Sequence, residues 1–265
     1  MTFSSNMKKI MAGLMAFCIV FVGVPSTKGY AAVEFVKDGE GNLVGNDEKE
    51  FYYKVPAGNE DSGECTLYVY GGNETDIVLP KTCGAYKVTT VGEDFSSMIE
   101  YLGNEKKSLT TVRIPFGYKV IEAEKKTNSE GKKVIIGAFQ NQTELYRIEI
   151  PSSVTSIGEY AFEGCDKSKL TIVTPKGSSA EKYAKKYGYK YKTVSVKSNG
   201  KTMKVGTKKT VTVNNAFSKV TWKSSKPSVA TINSKGKITA KKPGKTKITA
   251  TVNGEKYSFT LTVKK

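Results

Sequence analysis

The stretch Ile150–Cys165, IPSSVTSIGEYAFEGC, carries the pattern on which the fold prediction rests. Apolar residues alternate at Ile148 and Ile150, as on a short strand with one buried face. Pro151 has no backbone N–H, so the strand must end there or lie at a sheet edge. One strand and one turn of an ordinary globular domain is the alternative interpretation. The predicted core of this unit comprises Ile148, Ile150, Val154, Ile157, Ala161 and Phe162.

The strand-then-proline pattern recurs along the chain. It ends at Pro80, Pro115, Pro151 and Pro175, which are separated by 35, 36 and 24 residues. The polar segment Glu122–Lys133 is 12 residues long and accounts for the difference between 36 and 24. A basic period in the twenties predicts a solenoid, in which each unit buries its apolar face only against its neighbours.

These repeats resemble the BspA-like leucine-rich repeat of bacterial surface proteins. Ile150–Cys165 is the clearest unit, and Cys65–Phe95 is similar to the usual N-terminal unit of that family. The resemblance implies a rigid solenoid that presents a sheet of side chains as a recognition surface. It also implies attachment to host proteins, glycans or other cells.

From Thr193 the composition changes. Short alternating strands lie between Gly, Pro, Asn and Ser turns, which predicts a small all-β sandwich. The motifs Trp222–Ala230, Gly236–Ala240 and Gly244–Ala250 resemble a bacterial Ig-like domain of group 2. Such domains act as stalks, spacers or binding modules, and we expect Trp222 in or beside the sandwich core. The fold class predicted for the whole chain is mainly β, a leucine-rich-repeat solenoid followed by an Ig-like β-sandwich.

The N-terminus has the order of a secretory signal peptide. Lys8 and Lys9 precede the apolar run Ile10–Val24, and small residues stand before Ala32. The run is shorter than the roughly 20 residues that a membrane span needs, although an uncleaved anchor helix is the alternative. We therefore expect an extracellular protein of a Gram-positive bacterium, secreted or wall-associated, with no membrane span in its mature form. The predicted domains are a signal peptide at 1–31, a flexible lead-in at 32–50, the repeat domain at 51–192 and the Ig-like domain at 193–265.

A helix is predicted near residues 178–187. Ser178 and Glu181 have the spacing of a capping box, and Gly188 ends the helical pattern. Two roles are open for the tyrosines that follow: they pack the helix onto the end of the solenoid, or they form a sugar-binding platform. The tyrosines concerned are Tyr183, Tyr187, Tyr189 and Tyr191.

Three cysteines remain after the signal peptide: Cys65, Cys83 and Cys165. Cys65 and Cys83 are a candidate disulfide, because an exported chain meets an oxidising environment. The alternative is that all three are small buried apolar side chains. The sequence has no histidine and no pair of cysteines with metal-ligand spacing, so we predict no metal and no cofactor.

Charge is concentrated in the Ig-like domain. Residues 193–265 contain 17 lysines and one acid, Glu255, a net charge of +16. Such a field attracts polyanions and is screened by salt; the candidates are teichoic acids, acidic host glycans and membrane surfaces. Nucleic acid is disfavoured because the module has no arginine, and a solvated surface without a partner is the alternative. The candidate polyanion contacts are Lys223, Lys226, Lys235, Lys237, Lys241, Lys242, Lys245 and Lys247.

Catalysis finds little support in the sequence. The lack of histidine excludes Ser-His-Asp and Cys-His arrangements. A paired-carboxylate glycosidase needs only acids, but the acids cluster in predicted loops such as Glu122–Glu124, where water would keep their pKa values ordinary. We therefore predict a non-catalytic, monomeric recognition or adhesion protein that binds a host protein, a glycan or a wall polyanion. A structural spacer without a ligand and a glycan-acting enzyme are the alternatives.

Overall fold

The computed structural model describes residues 33, 35–47, 49–97, 108–127, 130–198, 200–216 and 218–265, with the backbone of Phe21–Val22. The predicted signal peptide at 1–31 lies outside the described residues, apart from that dipeptide. The fold is mainly β, as predicted. It divides into two compact units, of which the first runs to Arg147 and includes Ser153–Leu170. The second consists of Ile148–Ser152 and Thr171–Lys265.

Short strands make up the first unit, with one 3-10 turn at Glu60–Ser62. The strands that lie wholly in the first unit are β1 (Phe21–Val22), β2 (Phe35–Lys37), β3 (Leu43–Asn46), β4 (Phe51–Val55), β5 (Glu64–Tyr70), β6 (Asp76–Val78), β7 (Thr82–Cys83), β8 (Tyr86–Val91), β9 (Thr111–Arg113), β10 (Val120–Ile121), β11 (Ala123–Thr127), β12 (Lys133–Gly137) and β14 (Ser156–Ile157). Strand β13 (Arg147–Glu149) contains the boundary between the two units.

The second unit contains an α-helix and ten further strands after β13. They are β15 (Thr171–Pro175), α1 (Ser179–Tyr187), β16 (Lys190–Lys197), β17 (Thr202–Lys204), β18 (Lys208–Thr210), β19 (Thr212–Asn214), β20 (Thr221–Ser224), β21 (Ala230–Ile232), β22 (Lys237–Ala240), β23 (Gly244–Val252) and β24 (Glu255–Lys264).

The expectation of a flexible lead-in at 32–50 is wrong for the described part of that range. Strands β2 and β3 form an antiparallel hairpin, and β3 continues the sheet to β4. Phe35 and Leu43 are buried. The Asp38 carboxylate accepts a hydrogen bond from the backbone N–H of Asn42 at 2.9 Å. The acidic, glycine-rich sequence is therefore a tight turn between two strands, because apolar residues on either side of it need a buried sheet face.

Strands β5, β8, β10 and β14 lie side by side and parallel in the first unit. Val91 of β8 is in register with Ile121 of β10, which is in register with Ile157 of β14. Parallel neighbours require a crossover connection between them, so each return of the chain adds one strand. This arrangement agrees with the repeat pattern, while a complete solenoid remains a prediction.

Three buried phenylalanine rings form a column inside the first unit. The ring centroids of Phe95 and Phe139 are 5.4 Å apart, and those of Phe139 and Phe162 are 5.2 Å apart. The backbone N–H of Phe139 donates to the carbonyl of Ala161 at 2.9 Å. Each ring follows a turn that begins at Gly92, Gly137 or Gly158, so each of these turns supplies one ring to a common core.

The predicted core residues of the clearest repeat lie almost entirely inside. Ile157 is half-buried. The others are fully buried: Ile148, Ile150, Val154, Ala161 and Phe162.

Cys65, Cys83 and Cys165 are buried free thiols in the structure. Burial, together with a hydrogen bond to the Cys65 thiol, raises the pKa of Cys83 far above its ordinary value. Burial raises the pKa of Cys165 to about 12, and its thiol donates to the carbonyl of Phe139 at 3.1 Å. Thiols of this kind are unreactive at neutral pH, but the first two are close enough for their side chains to be joined.

The Ig-like part of the second unit has two sheets. One has the strand order β17-β24-β23-β20 and the other β18-β22-β21. Trp222 is half-buried and packs against the apolar cluster of the module. That cluster consists of Met203, Val211, Ala230, Ile238, Ala240, Ile248, Phe259, Leu261 and Val263.

Strand β16 belongs to two sheets at once. Its residues 190–194 pair in parallel with β15, and residues 195–197 pair antiparallel with β19. Helix α1 packs against both β15 and β16. The Ser178 hydroxyl accepts from the backbone N–H of Glu181 at 3.1 Å, and Gly188 ends the helix with φ 76°. The predicted boundary between residues 192 and 193 therefore falls inside a strand.

Replacement of Phe139 by alanine should lower the free energy of unfolding by about 3–5 kcal/mol, because it leaves a cavity between two buried rings. Urea denaturation followed by far-UV circular dichroism measures the change. The matched control is Phe116→Ala, because that ring is 45% exposed and its loss should cost no more than about 0.5 kcal/mol. Equal losses in the two variants would contradict the aromatic column.

Cys65 and Cys83 should form a disulfide when residues 32–265 are refolded from the unfolded, reduced state in an oxidising glutathione buffer, because both thiols are accessible before folding and the fold brings them into hydrogen-bond contact. Alkylation after unfolding, followed by mass spectrometry, should then label Cys165 alone. Labelling of all three thiols under the same conditions would show that the pair stays reduced. Cys65→Ser/Cys83→Ser serves as the control for complete labelling of Cys165.

Candidate polyanion-binding surface

The eight candidate lysines are all exposed, but they lie on several surfaces of the Ig-like module. Lys223 is in β20, and Lys245 and Lys247 are in β23, so these three belong to the four-stranded sheet. Lys237 lies in β22 of the other sheet. The remaining four lie outside the strands: Lys226, Lys235, Lys241 and Lys242. Three of the eight candidate lysines therefore lie on one sheet surface.

We call that surface the Lys/Thr face. It is the outer side of the four-stranded sheet, where side chains alternate with the buried residues of the core. Its members carry only ammonium or hydroxyl groups, with no acid and no aromatic ring. They are Lys204, Lys223, Lys245, Lys247, Lys256, Lys264, Thr202, Thr221, Thr249, Thr251, Thr260, Thr262 and Ser258.

Strand register places the hydroxyls beside the ammonium groups. Lys245 stands opposite Thr262 and Lys247 opposite Thr260. Residues on one face of a strand are about 6.8 Å apart, and neighbouring strands about 4.8 Å. These two ammonium groups therefore lie beside hydroxyl groups of the neighbouring strand, at distances that an anion with several acceptor oxygens can bridge. A phosphate group has this character, because it accepts several hydrogen bonds and carries charge.

Three lysines of this face are not among the eight contacts predicted from the sequence: Lys204, Lys256 and Lys264. The signal was available in β24, because Lys256 and Lys264 alternate, together with Ser258, Thr260 and Thr262, with Tyr257, Phe259, Leu261 and Val263. The parallel pairing of β17 with β24, which brings Lys204 beside Lys264, was not visible in the sequence.

Glu255, the acid of this module, is engaged elsewhere. It follows the tight Asn253–Gly254 turn between β23 and β24, where both residues have positive φ. Its carboxylate accepts hydrogen bonds from the Ser152 hydroxyl and from the Tyr257 hydroxyl, the latter at 3.0 Å. Burial and this carboxylate raise the pKa of Tyr257 above its ordinary range. The Glu255 carboxylate therefore does not compensate the positive charge of the Lys/Thr face.

The positive charge extends beyond the Ig-like module. The second unit contains 23 lysines and three acids, a net charge of +20. The first unit, from Ala32 onward, contains 16 basic and 22 acidic residues, a net charge of −6. The sequence reasoning placed the excess in residues 193–265 alone and overlooked the basic residues between β15 and the end of β16.

Glu122 and Glu124 do not have the ordinary environment that we expected of a loop. Glu124 lies in β11, which forms a hairpin with β12. The Lys126 ammonium binds both Glu93 and Glu124, the latter at 3.1 Å. Burial raises the pKa of Glu93 and of Glu122, whereas hydrogen bonds from Glu93 and Lys126 lower the pKa of Glu124. The expectation is wrong because the chain return brings Glu93 against the hairpin.

This acidic group does not have the geometry of a glycosidase pair. The carboxyl groups of Glu93 and Glu124 share a hydrogen bond, whereas a retaining pair is about 5 Å apart and an inverting pair wider. Lys126 also occupies the position between them. The described residues contain no group of three or more acids or cysteines placed to hold a metal ion.

The repeat region exposes aromatic side chains. Phe116 is 45% and Tyr146 is 53% exposed. Between β6 and β9, the Arg113 guanidinium pairs with the Asp76 carboxylate at 3.1 Å. Both aromatic residues lie outside the strands, in the connections of the repeat region.

The four tyrosines in and after α1 do not share one role among the two that the sequence left open, packing of the helix and a sugar-binding platform. Tyr183 and Tyr189 are buried and stack with ring centroids 6.1 Å apart, so they pack the helix. Tyr187 is half-buried, and Tyr191 is 39% exposed with the Lys185 ammonium 5.3 Å from its ring centroid. The tyrosines thus do not form one open platform.

A mainly β chain in which short parallel strands precede a two-sheet module is a modular repeat protein. Two family models match it. Residues 104–224 match the BspA type leucine rich repeat region in six copies, and residues 190–263 match the bacterial Ig-like domain (group 2). Both matches agree with the families that the sequence resembles, and each covers less than half of the chain. The repeat match begins at residue 104, so the unit assigned to Cys65–Phe95 remains a prediction.

Two solved structures show limited similarity. An intimin mutant of EHEC O157:H7 is 22% identical over 23% of this chain and 34% of that chain, with a TM-score of 0.22. Domains 4 and 5 of the S-layer protein SbsC are 21% identical over 28% of this chain and 55% of that chain, with a TM-score of 0.23. The chain thus spans about a third of the first and about half of the second. The curated proteins gave no match.

Both matched families are typical of non-catalytic proteins, and BspA-type repeats are typical of surface or extracellular proteins. Across the described ranges, no helix is long and apolar enough to cross a membrane.

Replacement of Glu122 by glutamine should stabilise the protein at neutral pH. The pKa of Glu122 is raised by burial, so the folded state loses stability as the pH rises through that pKa. Glutamine keeps an acceptor for the Glu93 N–H without the charge. Urea denaturation should show a gain at pH 7 that disappears below about pH 4, where the unfolded carboxyl is also protonated.

The exposed Glu74 provides the control for this change. Glu74→Gln should change the free energy of unfolding at pH 7 by no more than about 0.5 kcal/mol, as is usual for an exposed substitution. A loss of stability in Glu122→Gln at pH 7 would mean that the charge of Glu122 is well solvated or well paired.

Proposed function

We propose that the protein is a non-catalytic, extracellular recognition protein whose Ig-like module holds it on an anionic cell-wall polymer. The observation that carries the proposal is the Lys/Thr face, with six lysines, seven hydroxyl residues and no acid. The matched families support the extracellular, non-enzymatic class. Export through the predicted signal peptide would place this face against the wall.

The chemistry of the face favours a phosphate polymer over a neutral glycan. Proteins commonly hold neutral sugar rings by stacking on aromatic side chains and by hydrogen bonds to acids or amides, and this face has neither. Lysine binds phosphate as a point charge, whereas arginine favours bidentate recognition of flat anions. A wall phosphodiester such as teichoic acid has the required charge and acceptor oxygens.

The repeat region supplies the recognition function in this proposal. Its parallel strands form a solenoid that presents the exposed Phe116 and Tyr146 together with the Asp76–Arg113 pair. A host extracellular protein or glycan is the proposed partner. The protein acts as a monomer, because a single wall polymer suffices to retain it.

A structural spacer without a ligand of its own is the second candidate. The observation in its favour is β16, which joins the last repeat strand to the Ig-like module without a flexible linker. A ligand for the exposed aromatic residues of the repeat region would decide against it.

The Lys/Thr face is tested with the mature chain and the triple variant Lys223→Gln/Lys245→Gln/Lys247→Gln. Both are sedimented with purified Gram-positive walls over a salt series, before and after removal of teichoic acid. The variant should bind more weakly, and the slope of log affinity against log salt should become shallower by about 2, at about 0.7 per lost phosphate contact. Stripped walls should retain neither protein.

The matched control is Lys201→Gln/Lys208→Gln/Lys219→Gln, which removes the same charge from exposed positions outside the face. It should bind nearly as the unchanged chain does. If control and face variant lose affinity equally, net charge alone attracts the polymer and the assignment to the face is wrong. If the unchanged chain does not sediment, the wall-binding proposal fails.

A further inference from the structure

A second basic surface lies on the helix of the second unit. Lys182, Lys185 and Lys186 are exposed and stand three and four residues apart, so they share one side of α1. The half-buried Tyr187 and the exposed Tyr191 flank them. We call these five residues the cap surface.

The cap surface has its own positive field. The Glu181 carboxylate is already taken by the backbone N–H of Gly177 and by the Lys185 ammonium at 2.7 Å. The Lys186 ammonium lies 4.7 Å from the Tyr187 ring centroid. The Lys185 ammonium lies 5.3 Å from the Tyr191 ring centroid, so each tyrosine ring has a positive charge beside it. The exposed groups that remain are cationic and hydroxyl donors, as on the Lys/Thr face.

The cap surface and the Lys/Thr face are joined without a flexible segment. Strand β16 pairs with β15 beneath α1 and continues into pairing with β19 of the Ig-like module. The Asn215 side-chain amide donates to the carbonyl of Thr193 in the middle of β16 at 2.9 Å. The Ser152–Glu255 hydrogen bond ties the β23–β24 turn to the segment after β13. Two binding surfaces on one rigid unit are the condition for multivalent binding.

We propose that the cap surface is a second polyanion site and that one linear phosphate polymer occupies it together with the Lys/Thr face. This inference rests on the proposed function of that face. Once one surface holds the polymer, the other meets it at a high effective concentration, so a long polymer binds much more tightly than a short one without any new contact. The preferred ligand is therefore a polymer of some length, and an isolated phosphate is a poor one.

The test measures binding of end-labelled inorganic polyphosphate by fluorescence anisotropy. A length series runs from oligomers that cover one surface to chains several times longer. The cap variant is Lys182→Gln/Lys186→Gln, which leaves the Glu181–Lys185 pair and the helix cap in place. The control is Lys201→Gln/Lys208→Gln, which removes the same charge elsewhere in the unit, and circular dichroism verifies that each protein is folded.

The unchanged chain should gain about a hundredfold in affinity between short and long polymers, the lower side of what two linked sites supply. The cap variant should bind the short polymer nearly as well as the unchanged chain, and should lose most of the gain. The control variant should keep the gain in affinity with polymer length. Retention of the gain in the cap variant, or equal loss in cap variant and control, would overturn the second site.

The two proposals fail in different ways. If the short polymer binds and the face variant Lys223→Gln/Lys245→Gln/Lys247→Gln abolishes this binding, but no gain with length appears, only the second site is wrong. If no polymer of any length binds, the Lys/Thr face is not a polyanion site and both proposals are wrong.

Discussion

Strand β16 is the element on which the second unit depends. Its first five residues complete a parallel pair with β15, and its last three complete an antiparallel pair with β19. Helix α1 packs on the first pair, and Val196 of the second pairing packs against the apolar cluster of the Ig-like module. Backbone hydrogen bonds of one strand are thus shared between two substructures. Loss of its conformation would expose the polar backbone of both, which is costly in either.

Because β16 pairs with both β15 and β19, it affects how the lysines of the second unit can bind a polymer. On a flexible linker, the Ig-like module and the last repeat would meet a polymer independently. Joined by a strand, they present their ammonium groups at fixed positions, so that binding at one does not have to order the other. The module also gives its acid, Glu255, to a hydrogen bond with Ser152. The same contact therefore helps to hold the joint and keeps negative charge away from the Lys/Thr face.

The sequence permits prediction of what depends on local period. Alternation in residues 193–265 predicts strands with lysine outside and apolar residues inside, and Ser178 with Glu181 predicts a helix start, because each signal lies within a few residues. The column of Phe95, Phe139 and Phe162 follows from the repeat, since each turn places its aromatic residue at an equivalent position.

Features that depend on strand neighbours were not predictable in this way. Glu93 meets Glu124 only because successive chain returns stack β8 beside β10. Lys204 joins the Lys/Thr face only because β17 pairs with β24. Gln142 is buried, and its side-chain oxygen accepts a hydrogen bond from the backbone N–H of Leu109 at 3.0 Å. It thereby holds in place a segment that is distant in sequence. Nothing in the local composition around residue 142 marks that role.

The Lys/Thr face also carries an energetic cost that points to its use. Lys204 and Lys264 stand directly opposite each other on paired strands, and like charges in that arrangement are destabilising. Lys245 and Lys247 are also successive residues on this side of β23, and the hydroxyl groups beside them carry no charge that would neutralise them. A module with a net charge of +16 from residues 193–265 is therefore weakened by its own field. A bound polyanion removes that repulsion in the folded state, where the lysines are gathered on one face. It relieves less in the unfolded chain, where they are spread apart. If the proposed polymer is the ligand, it would bind the folded module in preference to the unfolded chain, and by mass action it would stabilise the fold that presents the face.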